Sequence, residues 1–201
     1  MANVELDAMG DNCAHICVDV QRMFVEATVW QAPWMSRILP TIESIVDAHA
    51  SRTIFTRFIT PETPDAASGA WQRYYRRWPE MTRDRLPAEM LDLAPPLSRF
   101  VPPARVMDKT VYSPWLSSHL HRWLHVAGVD TLVVSGGETD VCVLATVMGA
   151  IDRGYRVILP TDALCGSADE THDAMLRIYE SRFGMQLTVS NSQAVLDAWR
   201  A

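Results

Sequence analysis

The feature that most constrains this chain is a repeated alternation of short apolar runs, rich in Val and Ile, with stretches of helix length. The runs fall at 15–20, 53–59, 105–109, 131–137, 156–162 and 185–190. Helices are predicted over 35–50, 114–127, 140–153, 169–183 and 193–199, with Pro40 placed to delay or kink the first. Gly128, Gly154 and Gly184 stand where three of these helices should stop. Apolar strands separated by helices belong in a parallel sheet buried on both faces, because right-handed crossovers lay helices over each side. The expected fold is a three-layer α/β/α arrangement.

A chain of 201 residues, 48% hydrophobic, can bury roughly 70% of its unfolded surface. Residues 1–201 therefore read as one domain. The alternation fails only at 60–104, which holds most of the prolines and the aromatic, basic stretch WQRYYRRW at 71–78. Insertions of that length are lids or interfaces, and Trp, Tyr and Arg concentrate at interfaces. A net charge of -6 speaks against nucleic acid or an acidic membrane as partner. There is no stretch of membrane-spanning length, and residues 1–12 carry Glu5, Asp7 and Asp11 rather than a basic, then apolar, leader. Four cysteines sit in apolar segments without a CxxC pair, which suits a reduced, cytoplasmic protein.

In parallel sheets ligands bind beyond the carboxyl ends of the strands, so polar residues there are the candidates for chemistry. Asp19 stands at the end of the first run, Lys109 ends the third, and Cys142 lies just past the fourth. Cys142 follows a glycine pair at the start of a predicted helix, where free N–H groups and the helix dipole favour thiolate and can hold an oxyanion; alone, it also reads as a small buried hydrophobe. Asp19 is costly at a strand end unless paired or used, and reads as a general base or a turn-former. Lys109 is the sole lysine among seventeen arginines, so a surface role is a poor description of it. A compact ammonium can sit between a carboxylate and a thiolate. Together the three could run acyl transfer, the carboxylate taking the thiol proton and the thiolate attacking a carbonyl.

The order of these landmarks resembles the isochorismatase-like cysteine hydrolases, a family with nicotinamidase, carbamoylsarcosine amidase, ureidoacrylate hydrolase and biuret hydrolase branches. The matching residues are Asp19-Val20-Gln21-Arg22-Met23-Phe24, Lys109 with Tyr112-Ser113, the turn Gly136-Gly137-Glu138-Thr139-Asp140-Val141-Cys142-Val143, and Asp162-Ala163 with Ser167 and His172. The resemblance covers nearly the whole chain. It implies a six-stranded parallel sheet of Rossmann-like type, a catalytic triad of Asp19, Lys109 and Cys142, an oxyanion hole from the backbone N–H groups of Glu138 and Cys142, a cis peptide before Glu138, and a homodimer or homotetramer.

Departures from the family pattern narrow the expected activity. Nicotinamidases resemble one another in a metal site of Asp and His around the second strand. Here that region reads Thr56-Arg57-Phe58-Ile59, and no histidine lies between Ser51 and Ser118. No metal and no organic cofactor is expected; His121 and His125 share a helix face but read as a packed or solvated pair. The vinyl-ether-cleaving isochorismatases commonly lack the cysteine, so Cys142 points to a small amide, carbamoyl or ureido substrate. Arg57 could grip a substrate carboxylate, and Phe24, Trp71 and Trp115 are candidate pocket walls. The competing readings are a vinyl-ether hydrolase, a non-catalytic module that binds a small molecule or a partner through the 71–78 segment, and a redox role for Cys142 with Cys165.

Overall fold

The computed structural model describes residues 6–117 and 119–199. Residues 1–5 of the acidic N-terminal segment and residue 118, inside the predicted 114–127 helix, lie outside the described residues. The described strands are β1 (Cys13–Val18), β2 (Thr53–Phe58), β3 (Arg105–Lys109), β4 (Thr131–Gly137), β5 (Arg156–Pro160), β6 (Leu164–Cys165) and β7 (Leu187–Ser190). They form one parallel sheet in the order β3-β2-β1-β4-β5-β7, with the two-residue β6 pairing on the end of β4. Six of these are the expected strands. A two-residue strand has no periodicity to read, which is why β6 is the addition.

The helices that cover the sheet are α1 (Met35–His49), α2 (Ala70–Arg77), α3 (Leu120–Val126), α4 (Cys142–Ile151), α5 (Asp169–Phe183) and α6 (Ser192–Ala198). The period-2 alternation of β1 sorts the layers. Ala14, Ile16 and Val18 enter the cluster built with α3, α4 and α5, whereas Cys13 and Cys17 face α1 and α6. At the centre of the sheet His15 is fully buried between Thr53 and Ser135, with ring nitrogens 3.2 and 2.7 Å from their hydroxyls. Burial holds its pKa down to about 3, so the imidazole is a neutral rung linking three strands.

Two expectations about helices change. Pro40 does not delay α1, which begins at Met35 and runs on through it. Met35, Ile38, Ile42, Ile45 and Val46 bury one stripe, and Pro40 lies on the exposed side, where the carbonyl it leaves unpaired can be met by water. The predicted 114–127 helix is instead two pieces, Pro114–Ser117 and α3.

The irregular 60–104 region is laid onto the α1 side of the sheet. Tyr75, Met81, Leu86, Leu93 and Leu97 are buried in the α1 cluster. Backbone bonds from Ala94 N to the Val20 carbonyl and from Arg22 N to the Asp92 carbonyl, both 2.9 Å, tie it to the segment leaving β1. Among the described residues no helix is long and apolar enough to cross a membrane.

Candidate active site

Strand order reverses between β1 and β4, and this switch point opens a crevice at the carboxyl ends of the strands. Close approach there needs Gly136. A Cβ on it would lie 2.2 Å from the Val18 carbonyl oxygen, and its φ is +103°. Beyond Val18 the chain turns sharply at Asp19, whose φ of 51° makes it the only described non-glycine residue in the left-handed region. That turn is fixed by its N–H, which bonds the carbonyl and hydroxyl oxygens of Thr56 at 3.2 Å each. Two residues on, buried Gln21 clips β2 and the 60–104 region together. Its Oε1 accepts from Phe58 N at 2.6 Å, and its Nε2 donates to the carbonyls of Phe58 and Leu91.

The three strand-end residues converge. Lys109 Nζ lies 2.6 Å from Asp19 Oδ2, both side chains being 1% exposed, and donates to Cys142 Sγ at 3.5 Å and to the Val111 carbonyl at 3.2 Å. Thr56 Oγ1 donates to the other carboxylate oxygen of Asp19 at 2.6 Å. The ammonium also rests 4.9 Å from the centre of the Phe58 ring. Burial works against a charged Lys109, but Asp19 and then Cys142 outweigh it and hold the ammonium above its ordinary range.

Cys142 opens α4, yet it is not a resting thiolate. Burial first, and the Asp19 charge second, push its thiol well above the usual range, and Lys109 only partly offsets them. The sulfur thus lies beside the Asp19–Lys109 ion pair as a thiol of raised pKa.

The loop before Cys142 is held rigidly. The Gly137–Glu138 peptide is cis. Thr139 bonds the Cys165 carbonyl through N and Oγ1 and pairs with His172 Nδ1 at 2.8 Å, while Tyr179 donates to the Thr139 carbonyl. Glu138 accepts from Ser167 N at 2.8 Å. Among the described residues neither the Glu138 nor the Cys142 backbone N–H has an acceptor.

Cys142 and Glu138 line a cavity of about 300 Å³ whose walls are Phe24, Trp30, Phe58, Tyr74, Trp78 and Tyr112. Of the predicted walls, Phe24 stands there. Trp71 does not; it sits behind, 4.7 Å from Tyr112 and 6.2 Å from Phe58 between ring centres, and lines a neighbouring cavity. Trp115 is core. Its indole covers Gly149 of α4 so closely that a Cβ there would lie 2.1 Å away, and its Nε1 donates to the Thr146 carbonyl. Arg57 is not among the residues lining this cavity, because strand alternation turns it away from Thr56 and Phe58. It meets Asp108 at 2.8 and 3.0 Å and Asp92 at 3.4 Å, on a part-exposed surface. Cys165 lies in the opposite core cluster, 3.8 Å from the Met35 sulfur. His121 packs on His125 and meets Tyr155 OH at 3.0 Å. Sequence reasoning assigned no site role to Thr56, Trp30 and Phe58; Tyr74, Trp78 and Tyr112 lie in stretches it singled out, the 71–78 segment and the Tyr112-Ser113 landmark, without placing them on the cavity.

These strand-end positions can be set beside known proteins. An N-carbamoylsarcosine amidase of Arthrobacter is 25% identical over 94% of this chain and 73% of its own length. An uncharacterized isochorismatase family protein of Bacillus subtilis is 25% identical over 76% of this chain and 79% of its own. A cysteine hydrolase crystal structure from Pseudomonas syringae pv. phaseolicola superposes with a TM-score of 0.81 over 98% of each chain at 22% identity, a likeness of fold. A family model for the isochorismatase domain matches residues 13–191, from the first strand to just past the last, so this chain, with its acid, lysine and cysteine at the strand ends, belongs to the isochorismatase family of hydrolases.

Proposed function

We propose that this chain hydrolyses the C–N bond of a small amide, carbamoyl or ureido compound by nucleophilic catalysis at Cys142. The observation that carries the reading is the contact chain of carboxylate, ammonium and thiol, 2.6 and 3.5 Å, buried at the head of an aromatic cavity. Taking charged groups out of water is expensive, and a desolvated ion pair touching a thiol adds nothing to stability that an apolar cluster would not supply. Its use is chemical.

In this scheme Asp19 accepts the Cys142 proton as the sulfur attacks the substrate carbonyl carbon, so the high thiol pKa is overcome only when bond formation begins. The carbonyl oxygen becomes an oxyanion beside the free N–H groups of Glu138 and Cys142. The C–N bond then breaks, the leaving nitrogen takes the proton from Asp19, and an acyl thioester remains. Asp19 next deprotonates a water, which attacks the thioester, and the proton returns to the sulfur as the acid departs. Lys109 stays charged throughout and holds Asp19 and the sulfur in place; Thr56 orients the carboxylate. The amidase named among the relatives supports an amide substrate. No metal and no organic cofactor enters the scheme.

Ammonia release from a panel of small primary amides and ureides, with Cys142→Ala as control, tests the proposal. Turnover by the parent and none by the variant is the expected result. Equal turnover by both proteins would sink nucleophilic catalysis at Cys142. A parent inert to the whole panel, with Cys142 unreactive toward thiol reagents, would transfer the cavity to a non-catalytic binding role.

A further inference from the structure

Resting on the amide-hydrolysis reading, we infer that the cavity selects by charge: its substrates carry a neutral or cationic group beyond the scissile amide, and carboxylate-bearing amides are excluded. The charges around the cavity are few and can be counted. Lys109, its one ammonium, is spent on Asp19 at 2.6 Å. The remaining ionisable carboxyl on the wall is Glu138, which accepts from the backbone N–H of Ser167. No arginine or histidine stands among the described residues that line the cavity. The site therefore presents a net negative charge framed by six aromatic rings, Phe24, Trp30, Phe58, Tyr74, Trp78 and Tyr112.

Ring faces carry a negative quadrupole, so they attract a cation and repel an anion. A substrate carboxylate would lose its water against these walls without gaining a counter-ion. Three other groups bear on this. The Trp30 indole N–H is buried and has no acceptor among the described residues, but a neutral donor, like the free N–H groups of Glu138 and Cys142, suits an uncharged oxygen and does not supply a counter-ion. Arg77 rests on the Trp78 ring at 4.8 Å, yet it is solvent-exposed and lines no part of the cavity. Arg57, on β2, is already held by two aspartates.

Three primary amides of equal chain length separate the cases: pentanamide, its analogue ending in carboxylate, and its analogue ending in trimethylammonium. Expected kcat/KM for the carboxylate member is at least about 100-fold below the other two. Glu138→Gln retains an acceptor for Ser167 N and should narrow the ratio between cationic and anionic substrates about tenfold, whatever it does to the overall rate. Arg77→Ala should leave the ratio unchanged. A second measurement does not depend on amide turnover. Methanethiosulfonates bearing trimethylammonium or sulfonate each form a disulfide with Cys142 and release methanesulfinate; site-resolved mass spectrometry gives the two rates, normalised to a free small thiol. Faster labelling by the cation, with the bias reduced in Glu138→Gln, supports charge selection even if no amide is hydrolysed, an outcome that would reject only the hydrolytic reading. Equal or faster labelling by the anion, hydrolysis of the carboxylate amide on a par with pentanamide, or loss of that hydrolysis in Arg77→Ala would overturn the inference.

Discussion

Two ion pairs stand side by side at the ends of β2 and β3, and they differ in almost everything. Register pairs Arg57 with Asp108 and, one step on, Phe58 with Lys109. Arg57 and Asp108 retain 27% and 49% side-chain exposure, whereas Lys109 and its partner Asp19 retain 1% each. The exposed pair meets in the bidentate geometry favoured by guanidinium and carboxylate, and its charges keep much of their water. The buried pair has surrendered its water and borders a thiol and a cavity. One residue of strand register decides which face a side chain serves. On the proposed reading, the buried pair beside the cavity serves chemistry, whereas the pair one rung away serves only the surface.

Substitutions can break this contrast, and the largest effects belong to the buried side. Cys142→Ala and Asp19→Asn should each lower kcat/KM by about 10⁴-fold or more on any amide the protein turns over, since nucleophile and base act as a unit. Asp19→Asn has a second signature. Removing the charge that helps to raise the thiol should move the pH midpoint of Cys142 alkylation downward from a parent value above 9.0, even as turnover disappears. A midpoint that rises instead would contradict the assigned electrostatics.

Lys109→Met should cost about 3–5 kcal/mol of unfolding free energy at pH 7, because it leaves Asp19 buried without its counter-ion. The sign of its pH dependence follows from the raised pKa of Lys109. A group whose folded pKa lies above its unfolded value contributes fully below the latter and loses that contribution as pH climbs through the former. Chemical denaturation should thus show a constant gap between parent and variant from pH 7 up to about 10.5 and a narrowing gap above it.

Thr56→Val removes the hydrogen bond that orients Asp19. A bond to a charged group is worth about 1.5–3 kcal/mol, so kcat should fall by about 10- to 100-fold with KM little changed. Smallest of all, Arg57→Ala should shift stability by less than about 1 kcal/mol and leave steady-state kinetics intact. A large kinetic defect there would erase the distinction between the two pairs.

Much of this contrast was legible in the sequence, and the rest was not for physical reasons. Asp19, Lys109 and Cys142 could be found because a parallel sheet projects strand-end residues into one crevice, whatever the intervening chain does. Gln21 and Gly136 kept their landmark positions because each serves one backbone junction, the clip to β2 and the close pass of Val18. Arg57 misled because its type suits a substrate clamp, while the alternation of β2 directs it elsewhere. Trp115 misled because its neighbour, Gly149, lies on a helix that begins 27 residues later in the chain. The cavity walls were out of reach altogether. Trp30, Phe58, Tyr74, Trp78 and Tyr112 arrive from four separate segments, and no local period encodes their meeting. In the 60–104 region the structure brings Tyr74 and Trp78 to the cavity, which links this irregular segment to the site as a wall.

The central claim is a covalent bond between Cys142 and the acyl half of an amide. Rapid quenching of the parent protein with a turned-over amide, followed by intact and peptide mass spectrometry, tests it most directly. The account predicts an acyl adduct on the peptide carrying Cys142, formed before steady state and absent from Asp19→Asn and Cys142→Ala. Steady turnover with no adduct at any quench time, retained in Cys142→Ala, would contradict it.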